Sequence, residues 1–191
     1  MSQHPITAIY DANILYPAPL RDLFIRIAQT GLVRACWTEQ IHDEWIRNVL
    51  KDNPRLDAER LARTKALMNE AIRDSLVTGH EDLIDSLTLP DADDRHVLAA
   101  AIRVRASVIV TFNLKDFPRD QLCRFEIEAQ HPDDFLNTLL DISPGLVCSA
   151  VRRQRESLRN PARTAAELLA TFERQGLPKS VARLTEFAAT L

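Results

Sequence analysis

The chain predicts an α/β fold: a three-layer α/β/α sandwich around a central parallel sheet, followed by a helical C-terminal extension. Two short apolar runs, Ile6–Tyr10 and Val108–Val110, read as buried strands. Amphipathic helical stretches separate them, and strands alternating with helices build a parallel sheet covered on both faces. Beyond Ser143-Pro144-Gly145 no strand pattern remains, so residues 144–191 form the extension and residues 1–143 the main domain.

Each element has a local reason. Ile6–Tyr10 runs into Asp11-Ala12-Asn13, a strand leading to a loop that Pro17-Ala18-Pro19 ends. Leu20, Leu23, Phe24, Ile27 and Ala28 then recur at helical spacing, and Gly31 is a natural stop. Val33–Trp37 is a short strand. Thr38 caps the next helix, whose buried stripe is Ile41, Trp45, Ile46, Val49 and Leu50, and Asn53-Pro54 breaks it. A further helix is expected over Asp57–Ser75, then an irregular stretch to Leu89 holding a short strand or a turn of helix. The acids at 91–94 suit the start of a helix, Arg95–Arg103, through its macrodipole. After the strand Ser107–Thr111, Phe125–Ile127 is a candidate fourth strand. His131-Pro132-Asp133-Asp134 opens a helix carrying Phe135, Leu136, Leu139 and Leu140. The extension shows helical patterns over Leu146–Leu158, Thr164–Gln175 and Pro178–Ala189. A piece this small is expected to dock on the main domain.

Bulk properties bound the function. The 191 residues are 46% hydrophobic and 27% charged, ordinary for a soluble globule. No apolar run reaches the roughly 20 residues of a membrane helix. Met1-Ser2-Gln3-His4-Pro5 has neither a charged leader nor an apolar core, which predicts a cytoplasmic chain. Cys36, Cys123 and Cys148 are too scattered for a zinc site or a disulfide scaffold. Net charge is −3, but residues 144–191 carry 8 Lys+Arg against 4 Asp+Glu. Residues 1–143 carry the other 16 against 23, so the acidic excess lies wholly in the main domain.

Four acidic positions fall where such a fold brings them together: Asp11 after the first strand, Glu44 on a helix, Asp91-Ala92-Asp93-Asp94, and Asp116 after the Ser107–Thr111 strand. Ligands bind parallel sheets at the carboxyl ends of the strands. Crowded carboxylates repel and persist where a hard divalent cation sits between them. Asn13 is expected to orient Asp11 or a metal-bound water. Thr111 can donate to a carboxylate, and Asn113 reaches the site from the same loop as Asp116. Glu39 and Asp43 compete with Glu44, capping or solvation competes for Asp93, and His96 reads as a helix-surface histidine paired with an acid. Arg95, Arg103, Arg105 and Lys115 near the acidic edge, or the arginines of the extension, could contact phosphates. A solvated helix face is the alternative for the latter.

With these residues in view, the chain resembles the PIN-domain nucleases, including VapC-type toxins of prokaryotic toxin–antitoxin pairs. The resemblance spans residues 6–140. It rests on Ile9-Tyr10-Asp11-Ala12-Asn13-Ile14-Leu15, on Thr38 through Glu44 and Trp45, and on Asp94 through Ala99-Ala100-Ala101. It rests also on Val108-Ile109-Val110-Thr111-Phe112-Asn113-Leu114-Lys115-Asp116-Phe117. It implies a PIN-like sandwich and a Mg²⁺- or Mn²⁺-dependent endoribonuclease acting on RNA. An antitoxin partner and a homodimer are implied as well. The family's first acid falls on Asp11, its helix glutamate on Glu44 and its third acid on Asp94, while Asp91 reads from its place in the acidic run as a second ligand or water-holder. The last acidic position is divided between Asn113 and Asp116, so here Asp116 takes the charge. The extension is a departure, since the smaller toxins end near residue 140. Two rivals are weaker. A haloacid-dehalogenase-like phosphatase needs a second Asp where Asn13 stands, and its later acids in another order. An inactive PIN-like binding scaffold is the non-enzymatic alternative.

Overall fold

In the computed structural model, which describes residues 5–191, Ile6–Tyr10 forms β1, buried from Ala8 onward. The leader reading at residues 1–4 lies outside the described residues. β1 is flanked on one side by β2 (Val33–Cys36) and on the other by β3 (Val108–Val110), and β4 (Glu128–Gln130) completes the order β2-β1-β3-β4. All pairings are parallel, with Ile6 opposite Val33 and Ala8 opposite Val108. The carboxyl ends of β1 and β3 therefore lie side by side, and Asp11 N–H donates to the Val110 carbonyl at 3.1 Å.

The fourth strand corrects the expectation. β4 is Glu128–Gln130, not 125–127. Residues 123–125 make a tight helical turn, and Glu126 adopts a left-handed backbone (φ 59°) that ends it. The apolar signal of Phe125 and Ile127 thus belongs to the turn, whereas the strand is polar and lies at the edge. A second correction concerns Asp11, which caps a one-turn helix, α1 (Ala12–Leu15), rather than entering a loop.

Helices cover both faces. On one, Tyr10 packs edge-on to Phe24 of α2 (Ala18–Ala28) and to Phe135 of α8 (Pro132–Ile142), centroids 5.5 and 6.5 Å away. On the other, α6 (Arg95–Arg103) lies against β1 and β3, its Ala99-Ala100-Ala101 run wholly buried. α3 (Glu39–Asp52) starts where Thr38 accepts from Ile41 N–H, as its sequence predicts. α4 (Ala58–Ala71) packs on α3 and stops four residues short of the expected Ser75. Trp37 then bridges to residues 75–77 through two backbone hydrogen bonds, and α5 (Glu81–Ile84) leans on α6. α7 (Arg119–Leu122) leads to β4.

Beyond α8 come α9 (Pro144–Ser157), α10 (Ala165–Arg174) and α11 (Pro178–Thr185). α9 lies along α2, where Gln154 Nε2 donates to the Pro19 carbonyl at 2.9 Å. α11 docks on α8 through Asp133, which is 2% exposed. Its two oxygens accept from the backbone N–H groups of Lys179 (2.9 Å) and Ser180 (2.8 Å) at the start of α11. Phe172, Leu177 and Leu184 are fully buried, which joins the extension to the main core. Among the described residues, no helix is long and apolar enough to cross a membrane.

Candidate active site

Asp11 stands at the end of β1 with 5% exposure, and its carboxylate is held by three donors. Ala12 N–H donates to Oδ1 at 2.6 Å. Asn13 Nδ2 (2.6 Å) and the Thr111 hydroxyl (2.7 Å) both donate to Oδ2. Asn13 also bonds Thr111 Oγ1 through Nδ2 and accepts from Phe112 N–H through Oδ1, at 2.8 and 3.1 Å. Asn13 and Thr111 thus clamp the ends of β1 and β3 around one carboxylate. A carboxylate offers about four acceptor positions, so one remains open, on Oδ1. Burial pushes the Asp11 carboxyl above its ordinary range, the Thr111 and Ala12 hydrogen bonds pull it back, and Glu44 pushes it up again.

In front of this clamp, Asp91, Asp94 and Asp116 each place a carboxylate oxygen within 4.8 Å of the others. They come from two turns: Asp91 caps the short helical turn Ala92–Asp94, Asp94 closes it and leads into α6, and Asp116 ends the turn Leu114–Asp116. Asp91 also accepts from Asp93 N–H at 2.9 Å. Of the two roles weighed for Asp93, the cap is made by Asp91, and Asp93 takes the solvated one. Asn113 donates through Nδ2 to Asp116 and orients it. The Asp94 carboxyl is pushed up to about 7, first by burial and then by Asp11, Asp91, Asp116 and Glu44. An all-oxygen donor set with excess negative charge fits a hard divalent cation. Mg²⁺ and Mn²⁺ answer that description.

Glu44 lies on the flank of this group. Its rivals are occupied elsewhere, since Glu39 and Asp43 both pair with Lys65 of α4. Glu44 Oε1 instead lies 2.9 Å from His96 Nε2, close enough for an ion pair though not aligned as a hydrogen bond. His96 is 2% exposed, which corrects the surface reading while keeping its acidic neighbour. The signal was present in Val97-Leu98-Ala99-Ala100-Ala101, five apolar residues that span more than one full turn right after His96.

A network that the sequence reading missed seats α3. Trp45 Nε1 donates to His42 Nδ1 at 3.0 Å, so Nε2 carries the proton of the neutral ring and faces Asn69 Oδ1 at 3.0 Å. Asn69 Oδ1 also accepts from Trp37 Nε1 at 2.7 Å. Glu44 sits between His42 and Trp45 and takes its position from this anchorage.

The basic candidates separate. Arg95 is half-buried at the acidic edge and folds back on its own turn, donating to the Ala92 carbonyl at 2.9 Å. Lys115 is exposed beside Asp116. Arg103 and Arg105 are not near the acids. α6 starts beside Asp94 and runs back to the opposite edge of the sheet, ending at Arg103.

Fold and site together define a class. The chain matches the PIN domain family over residues 7–115, and it belongs to that family. Residues 132–186 match a second family, the VapC50 C-terminal domain, whose range takes in α8 as well as the three helices after it. Among curated relatives, the Mycobacterium tuberculosis protein named "Putative ribonuclease VapC50" is 56% identical over 64 residues. That match covers 34% of this chain and 37% of the relative, so it spans about a third of each. No solved structure matches.

Proposed function

We propose that this chain is a metal-dependent endoribonuclease, the toxin of a toxin–antitoxin pair acting in the cytoplasm. The observation that carries the reading is the meeting of Asp91, Asp94 and Asp116 in front of the clamped Asp11, at the carboxyl edge of a PIN-domain sheet. The name of the M. tuberculosis relative supports RNA as the substrate. In this reading Asp11, Glu44, Asp91, Asp94 and Asp116 are the metal ligands, while Asn13, Thr111 and Asn113 support them. A Mg²⁺ or Mn²⁺ held by these residues would supply Lewis-acid polarisation of the phosphate and lower the pKa of a water so that hydroxide is available for attack.

The chain's own residues do the rest. The Asn13–Thr111 clamp holds the Asp11 carboxylate in one orientation before any ligand arrives, so no reorganisation is required at the moment of reaction. Asn113 holds Asp116 through one amide donor. The crowding that raises Asp94 keeps the site short of positive charge, which favours cation uptake once the carboxyl is ionised. Arg95 and Lys115, beside the acids, are placed to meet RNA phosphates. A boundary near residue 143 separates nuclease from extension, and the helical surface of the extension is a candidate face for the antitoxin or a second copy of the chain.

The test is cleavage of a fluorescent single-stranded RNA with Mg²⁺, with Mn²⁺ and with EDTA, with Asp11→Asn alongside. Metal-dependent cleavage lost in the variant supports the reading. Full Mg²⁺-dependent activity in Asp11→Asn overturns the assignment. Failure of the folded protein to cut several RNAs or to bind Mn²⁺ in calorimetry favours the inactive scaffold.

A further inference from the structure

Arg34, Arg103 and Arg105 line one cavity of about 540 Å³ at the edge of the sheet opposite the acids. Topology puts them there. Arg34 stands opposite Thr7 near the start of β1, and Ser107 N–H donates to the Thr7 carbonyl at 3.0 Å. Arg103 and Arg105 close the turn between α6 and β3 on that same edge. All three arginines are exposed, and among the described residues none forms a salt bridge. Asp74 is the single acid in the lining, which leaves a formal excess of two positive charges in a chain whose net charge is −3.

Gly79 has φ +69°, and a Cβ built on it would come within 3.2 Å of Arg103 Nη2. The Arg103 guanidinium thus rests against this glycine turn. Guanidinium groups present planar forks that match phosphate oxygens. Among the lining residues there is no aromatic side chain on which a base could stack, so recognition is of phosphate rather than base.

α5 leans on α6 between the two edges and exposes Glu81 and Asp82, with Asp85 just beyond, a surface that repels phosphates. We propose that the Arg34–Arg103–Arg105 cavity is a separate anion site that takes the diphosphate or polyphosphate group of a small ligand. This inference is independent of the nuclease reading, because it uses none of its residues.

The experiment is calorimetry on the full chain in metal-free buffer at fixed ionic strength, with inorganic pyrophosphate as the probe. The expected result is binding with a dissociation constant below about 1 mM. Affinity is unchanged in Asp11→Asn and in Arg152→Gln of α9, and falls at least tenfold in Arg103→Gln and in Arg34→Gln. A nucleoside diphosphate binding at the same site supports the proposal and identifies the ester as a source, and pyrophosphate alone points to free polyphosphate. Circular dichroism and thermal melting confirm that the variants fold. Absent pyrophosphate binding, or binding that both arginine variants retain, overturns the proposal. Binding of a single-stranded RNA in place of pyrophosphate, lost in those variants, overturns it in favour of a nucleic-acid surface.

Discussion

Asp11 and Asp133 are both buried aspartates beside helix starts, and their surroundings make them opposites. Asp133 accepts from two backbone N–H groups at the start of α11, where the helix dipole favours a negative charge. Its neighbours need the carboxylate, and it fastens the extension to the main domain. Asp11 is also well hydrogen-bonded, but burial first and then Glu44 push its carboxyl above the ordinary range, and its charge in turn raises Asp94. Burial with donors stabilises a fold. Burial among like charges costs stability and stores affinity for a cation.

The comparison breaks most sharply at Asp11. Asp11→Asn is expected to lower RNA cleavage about a thousandfold or more, a loss of about 4 kcal/mol in transition-state stabilisation. Its melting temperature should hold or rise. A large drop in melting temperature would place Asp11 with Asp133 as a structural residue.

Asp133→Ala should do the reverse. Two buried hydrogen bonds to a charged group are lost, a cost of roughly 3 kcal/mol measurable from urea midpoints. Mn²⁺ binding by the folded fraction should stay unchanged. Weaker metal binding there would show that the docking of α11 and the acidic edge are coupled.

The smallest effect sharpens the contrast through pH. The Asp94 carboxyl lies at about 7 in the fold against an ordinary value of 3.8, so the native state holds its proton where the unfolded chain has lost it. Stability of the metal-free protein therefore falls as pH rises from about 4 to about 7. Asp94→Asn should flatten that slope and add on the order of 1–2 kcal/mol at pH 7.5, after discounting for solvent screening. Denaturant melts across this range are the measurement. A slope that survives the substitution would assign the strain to another acid.

Legibility followed the range of the interactions. Ile6–Tyr10, the Thr38 cap and the helix from Arg95 to Arg103 were readable because their signals lie within a few residues of chain. Asp11, the acids at 91–94 and Asp116 were readable for a related reason, since a strand end, a helix start or the turn after a strand places a side chain at a sheet edge whatever the tertiary detail. β4 was misplaced because an edge strand pairing through three residues needs little apolar pattern, while the turn before it needs Phe125 and Ile127.

By itself, then, the sequence determined a parallel α/β sheet with carboxylates at one edge and a helical extension behind it. Only the tertiary structure decided that Glu44, and not Glu39 or Asp43, faces the site, because Lys65 of another helix claims the other two. It alone turned Asp133 into a staple and carried Arg103 away from the acids into one cavity with Arg34. Each of those outcomes depends on partners dozens of residues distant, brought into contact by packing that local periodicity does not encode.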